Sequence, residues 1–173
     1  DEVDLDSARA AFGALLDRYQ KLADSIASLQ SEPPTDIVRR VIRAADRWRS
    51  LDPDDTAACQ AAGRVLLRLG VRDAAWEYVT TPLADRPGEA PQWSSLAGTL
   101  RGQNEFDLAD RAYRSAFDAE PTNAQVLWDH AQMLEQRGQA DAALQFYRKI
   151  AESSWGPEFQ SVQEQARKFV ATH

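Results

Sequence analysis

Long apolar runs are missing from this chain. No stretch approaches the ~18 residues that a membrane-spanning helix requires, so membrane insertion is not expected. Cysteine occurs once, at Cys59, which excludes an internal disulfide. Histidine occurs only twice, at His130 and His173, whereas a metal site needs three or four ligands in reach. No glycine-rich phosphate loop is present; the eight glycines fall at turns and close contacts. Strand-like alternation and low-complexity tracts are also absent, as is a secretory signal. Met133 is the only methionine, so the chain, which begins at Asp1, reads as a processed product or a segment of a longer protein. Its compartment is left open, with the cytoplasm preferred. These shortages leave no cofactor to expect.

The balance of charge is acidic. Twenty basic residues, nearly all arginine in the bacterial manner, face 27 acidic ones, giving −7 and a pI near 4.9. That sign argues against nucleic acid as the main partner. Apolar residues make up 43% of 173, enough chain and enough hydrophobicity for a real core.

The apolar residues are ordered by a period of 34. Cys59, Trp93 and Leu127 form one series, and Gly63, Ala97 and Ala131 a second in which every member is small. Leu66, Leu100 and Leu134 form a third, Ala75, Ala109 and Ala143 a fourth, Val79, Tyr113 and Tyr147 a fifth. Pro53, Pro87 and Pro121 close successive units, and Trp155 takes the next such place. Small residues let two helix backbones approach, and larger ones fill the gaps between helices. Six concordant series make chance agreement a poor explanation.

This order of residues resembles the tetratricopeptide repeat, a 34-residue pair of antiparallel helices. The resemblance is best over Ala90–Pro121, covers Thr56–Pro157, and weakens before Pro53. It implies an all-α, right-handed solenoid of helix pairs, about nine helices in all. Repeats are placed at 56–89, 90–123 and 124–157, with helices near Thr56–Leu69, Arg72–Thr81, Pro91–Arg101, Phe106–Ala119, Ala124–Gln136 and Gln139–Ser153. Pro82 should stop or kink its helix, because it lacks a backbone donor and disfavours helix at Thr81. A hinge and a short helix in a rigid stack both fit; the turn-rich Asp85–Pro91 follows.

Residues 1–55 precede the array as a long helix and a second one pairing onto the solenoid. Leu5, Ala8, Phe12, Leu15, Tyr19, Leu22, Ile26 and Leu29 are spaced 3,4,3,4, and no proline intervenes before Pro33–Pro34, so one helix runs over roughly 5–30 with Asp4 or Asp6 as cap. The spacing suits a coiled-coil dimer. Ala11, Leu16 and Ala23 widen the face where charged flanks would be wanted, which favours internal packing and a monomer. The next helix, capped by Thr35 or Asp36 and reaching Leu51, packs Ile37, Val38, Val41, Ala45 and Trp48 and carries Arg39, Arg40, Arg43, Arg47 and Arg49 opposite. That basic stripe reads as a solvated face, since the chain's net charge has the wrong sign for nucleic acid. Residues 158–173, with Phe159, Val162, Ala166, Phe169 and Val170 on one face, read as a capping helix.

No convergent catalytic set is found. Cys59 and His130 fall in register two repeats apart, more than ~15 Å at ordinary helix spacings. Cys59 reads as a packing residue and His130 as a core histidine. The chain is therefore read as non-catalytic, a scaffold for a protein or peptide partner; the alternative is a structural or oligomerising segment of a larger protein.

The resemblance implies that first helices line a concave groove where partner segments lie. Outward positions there are Gln60, Arg64, Leu67 and Arg68; Ser94, Ser95, Gly98 and Arg101; and Trp128, Asp129, Gln132, Glu135 and Gln136. Co-chaperone members clamp a terminal carboxylate with Lys and Asn. Here those places hold Gln60, Arg64, Ser95, Gln125 and Asp129, so that clamp is essentially absent. Arg64, Arg68 and Arg101 would make one end basic, Asp129 and Glu135 the other acidic, with Trp128 between them as groove anchor or inter-repeat packing.

Overall fold

The structure is a computed structural model and describes residues 4–30, 32–53, 55–83 and 89–172. Pro87 and His173 lie outside these residues, as does most of the stretch Asp85–Pro91. Among the described residues the fold is all-α: nine α-helices, two short 3₁₀ turns and no strand. The chain forms two compact units, residues 1–85 and 86–173.

The first unit opens with α1 (Leu5–Ser28), whose Asp4 cap accepts a hydrogen bond from the Ser7 amide. α2 (Thr35–Leu51) runs back along it: the Trp48 ring lies 3.6 Å from where a Cβ on Gly13 would stand, and Arg9 pairs with Asp52. Neither Thr35 nor Asp36 caps α2. Pro34 is its N-cap without a side-chain bond, and the Asp36 carboxylate turns instead to Arg40, 2.8 Å away. The long helix packs internally, as its wide apolar face suggested. Leu16 and Ala23 are buried, and Phe12, Leu15, Tyr19 and Ile26 lie against the same core, which also takes in Val41, Ala45 and Trp48. Three members of the 3,4 series stay outside: Leu5, Leu22 and Leu29 are 43, 42 and 76% exposed. The buried stripe is rotated toward Leu16 and Ala23, because both α2 and α3 (Ala57–Arg68) pack on α1.

α3 and α4 (Arg72–Thr80) form a hairpin. α4 ends before Pro82 and passes into a 3₁₀ turn over Thr81–Leu83, the stop that proline demands. Tyr78 crosses back to α2, donating from its hydroxyl to the Asp46 carboxylate at 2.7 Å.

The second unit holds α5 (Ala90–Gly102), α6 (Phe106–Ala119), α7 (Ala124–Gln136), α8 (Ala140–Glu152) and α9 (Gln160–Thr172), each packed on the next. Short links and extensive pairing make α5–α6 and α7–α8 antiparallel hairpins. The small-residue series sits at the close approaches: Ala97, Ala109, Ala131 and Ala143 are wholly buried. Leu100, Leu127 and Tyr147 are almost as inaccessible and fill the space beside them.

α9 closes the unit by two means. Phe169 packs on Tyr147, ring centroids 4.3 Å apart, while Val162 and Ala166 are buried. Its polar side chains also reach the end of α8, where last-turn carbonyls have no helical donor. Gln163 donates to the Ala151 and Ser153 carbonyls at 3.3 and 2.6 Å, and Arg167 donates to Ala151 at 3.2 Å.

Candidate functional site

The residues singled out from sequence divide between the two units. In the first, Gln60 and Arg64 are exposed on α3, with Gln60 donating to the Thr56 hydroxyl at 3.3 Å. Arg68 turns toward α1 and pairs with Asp24 at 2.7 Å.

In the second unit a cleft of about 500 Å³ opens between the C-terminal turns of α5 and α7, lined by Gly98, Arg101, Gly102, Asn104, Phe106 and Gln136. Two local features keep it open. Gly98 and Gly102 have no side chain, and a Cβ on either would meet nothing within 4 Å. Asn104 takes φ 61° in the turn that ends α5, and the Glu105 amide then donates to the Leu100 carbonyl at 2.9 Å.

Arg101 is the hub of this face. Its Nε donates to the Gln136 amide oxygen at 2.6 Å, tying α5 to α7. Burial pushes the Tyr113 phenol up, and the nearby Arg101 guanidinium offsets part of the rise. Asp129 lies in the same field. Burial holds its carboxyl above the usual carboxylate range, opposed by a hydrogen bond from the Gln125 amide at 2.9 Å and by the charge of Arg101. Glu135 accepts from the Tyr147 hydroxyl at 2.7 Å, and burial with this carboxylate drives the Tyr147 phenol strongly upward.

Within this unit Arg101 stands beside Gln136 and near Tyr113, in the field of Asp129, so charge of both signs is interleaved. Trp128 is half-buried with its ring edge-on to Tyr147, centroids 4.9 Å apart. It packs onto α8 instead of standing between charged ends. Ser94 and Gln132 are half-buried, whereas Ser95 and Glu135 are exposed. Sequence reasoning placed Arg101, Asp129 and Gln136 on this face but missed Tyr113, Asn104 and Phe106. Tyr113 was absorbed into a packing series. Asn104 could have been found by register, since it stands 34 residues after Gly70 and before Gly138, which share its left-handed φ of 75 and 80°.

Behind this face lies His130, 2% exposed, its Nε2 2.8 Å from the Asp110 carboxylate. It stacks on Tyr113 at 5.4 Å and meets Phe146 at 4.5 Å. Burial lowers its pKa, with the Asp110 bond opposing. Cys59 is buried in the first unit, where desolvation raises its thiol, the opposite of nucleophile activation. Among the described residues no group of three His, Cys, Asp or Glu is placed to hold a metal ion, and no helix is long and apolar enough to cross a membrane.

No family model matches the chain. One curated relative, "General transcription factor 3C polypeptide 3" of Homo sapiens, is 33% identical over 64 residues, 37% of this chain and 7% of that protein. Among solved structures, MamA 41-end from Desulfovibrio magneticus RS-1 aligns with 79% of this chain and 74% of its own at 18% identity and a TM-score of 0.43. Another MamA crystal structure aligns with 98% and 92% at 16% identity and a TM-score of 0.42. Scores below 0.5 decide neither architecture nor function.

Proposed function

We propose that this chain is a non-catalytic scaffold of tetratricopeptide type that holds a peptide or protein segment against its first helices. The observation that carries the reading is the cleft between α5 and α7. It has open glycine walls, one aromatic lining residue in Phe106, and a guanidinium held in place by Gln136. Such a surface suits recognition of an extended chain: exposed amides and an oriented cation give direction, and the aromatic ring gives apolar contact. The 34-residue register over residues 56–157 supports the same reading, with 1–55 and 158–173 as flanking helices. Within the second unit Ser94, Ser95, Asp129, Gln132 and Glu135 would flank the bound segment, and Gln60 and Arg64 are the exposed first-helix positions of the first unit. Trp128 and Arg68 are already engaged, by Tyr147 and by Asp24, and would contribute less than exposure in sequence suggested.

The test is affinity capture with this chain, followed by calorimetric titration of the captured partner with Gly98→Trp. A Cβ at Gly98 meets nothing within 4 Å and the residue lines the cleft, so the indole is expected to fill the cleft while the fold keeps its melting temperature. Binding should weaken at least tenfold. Unaltered affinity would remove the cleft from the function.

A further inference from the structure

Helix α2 carries a row of charge that the groove reading does not use. The buried side of this helix is Val41, Ala44, Ala45 and Trp48. On the opposite side Arg39, Arg43 and Arg47 are exposed at i, i+4 and i+8. Four other arginines of the first unit have carboxylate partners: Arg9 with Asp52, Arg40 with Asp36, Arg49 with Asp46, Arg68 with Asp24. Arg39, Arg43 and Arg47 carry no ion pair among the described residues, in a chain with 27 acidic side chains. Three like charges on adjacent turns repel one another and weaken the helix slightly. Fold stability does not account for the row.

We propose that the Arg39–Arg43–Arg47 ridge docks an acidic helical segment of a protein partner. Spacing supports the match. Neighbouring arginines rise about 6 Å along α2, the same rise that separates carboxylates at i and i+4 of a facing helix. Each guanidinium can take a carboxylate in a two-pronged bond. The ridge spans only about 12 Å, a little beyond the ~8 Å screening length at physiological salt. A short acidic helix therefore feels the ridge more than the −7 of the whole chain. A long polyanion does not: duplex nucleic acid presents a charge every ~1.7 Å, far more than three arginines neutralise, and the acidic remainder of the chain repels it.

The test titrates an alanine-rich helical peptide bearing glutamates at i, i+4 and i+8 into the isotope-labelled chain, followed by NMR. Its glutamine twin, a single-stranded oligonucleotide and phosphatidylserine vesicles run in parallel. Amide and arginine Nε shifts should concentrate over residues 36–50 with the glutamate peptide alone. Each of Arg39→Gln, Arg43→Gln and Arg47→Gln should weaken binding about 1.5–5-fold, the range of exposed ion pairs, and added salt should weaken it further. Asp36→Asn frees Arg40 on the same face and should strengthen binding, a gain that a merely structural role for these residues would not produce. The proposal fails if shifts fall elsewhere, if the glutamine substitutions leave affinity unchanged, or if the oligonucleotide or vesicles bind more tightly through the same arginines.

Discussion

At the scale of single residues, contact distance decides how much each repeat tolerates. Gly63 stands where the second unit has Ala97 and Ala131, and a Cβ built on it would lie 2.5 Å from the Val79 Cγ1. Valine is stiff at χ1, so it cannot swing clear. Gly63→Ala is expected to cost about 1–3 kcal/mol, the usual penalty for overpacking a core. Urea denaturation measures this, and Val79→Ala in the same chain should return part of the loss. A neutral Gly63→Ala would mean that the two helices separate easily. Histidine adds a pH dependence. Burial holds the His130 pKa below its ordinary 6.5, so the unfolded chain binds the proton more readily. Stability from this group is complete above about 6.5 and falls as pH drops below that value toward the lowered folded pKa. The chain should thus lose stability between neutral pH and pH 5 more steeply than His130→Phe, as compared by thermal melts across that window. Equal slopes would show that His130 does not set it. Residue identity alone did not reveal this environment. Burial of His130 was expected, but its Asp110 partner sits on a different helix, and no local spacing connects them.

At the scale of helices, the sequence was more readable, because the 34-residue period constrains every element at once. The expected ranges of α6 and α7 coincide with the observed ones, and the others of the array differ by a residue or so at each end. Left-handed Gly70, Asn104 and Gly138 end α3, α5 and α7 by the same pair of bonds, a repeat visible in register even where asparagine replaces glycine. What stayed hidden was rotation about a helix axis. A 3,4 spacing names a face but not how two neighbours share it, so Leu22 and Leu29 looked buried and Leu16 looked like a flank. The closing helix α9 gives a test at this scale. Deleting residues 158–173 uncovers Tyr147 and leaves the Ala151 and Ser153 carbonyls without their side-chain donors. With several apolar side chains at ~1.5–3 kcal/mol each, melting temperature and solubility should both fall clearly. A truncated chain that melts like the parent would show that α9 is no cap.

At the scale of the whole molecule, the exposed apolar surface bears on association. Among the described residues the exposed large hydrophobics are Leu5, Leu22 and Leu29, two of them less than half uncovered. Three such side chains fall well short of the ~800 Å² per partner of a standard interface. Sedimentation at micromolar concentration should therefore find a monomer, unchanged by Leu22→Glu with Leu29→Glu. A dimer lost in that double variant would instead favour the oligomerising reading. Binding sites were the least legible feature at this scale. Arg101, Asp129 and Gln136 could be placed on one face from their register, but their mutual bonds, the role of Tyr113 and the open space over Gly98 depend on three dimensions.

The claim that partners lie along the first helices is tested most directly by position-specific photo-crosslinking in the intact chain. A photoreactive residue at exposed Ser95 on α5 or Gln136 on α7 should join the captured partner. The same residue at exposed Arg114 on α6 or Arg148 on α8 should not. Cross-links confined to Arg114 and Arg148, with none at Ser95 or Gln136, would contradict the account.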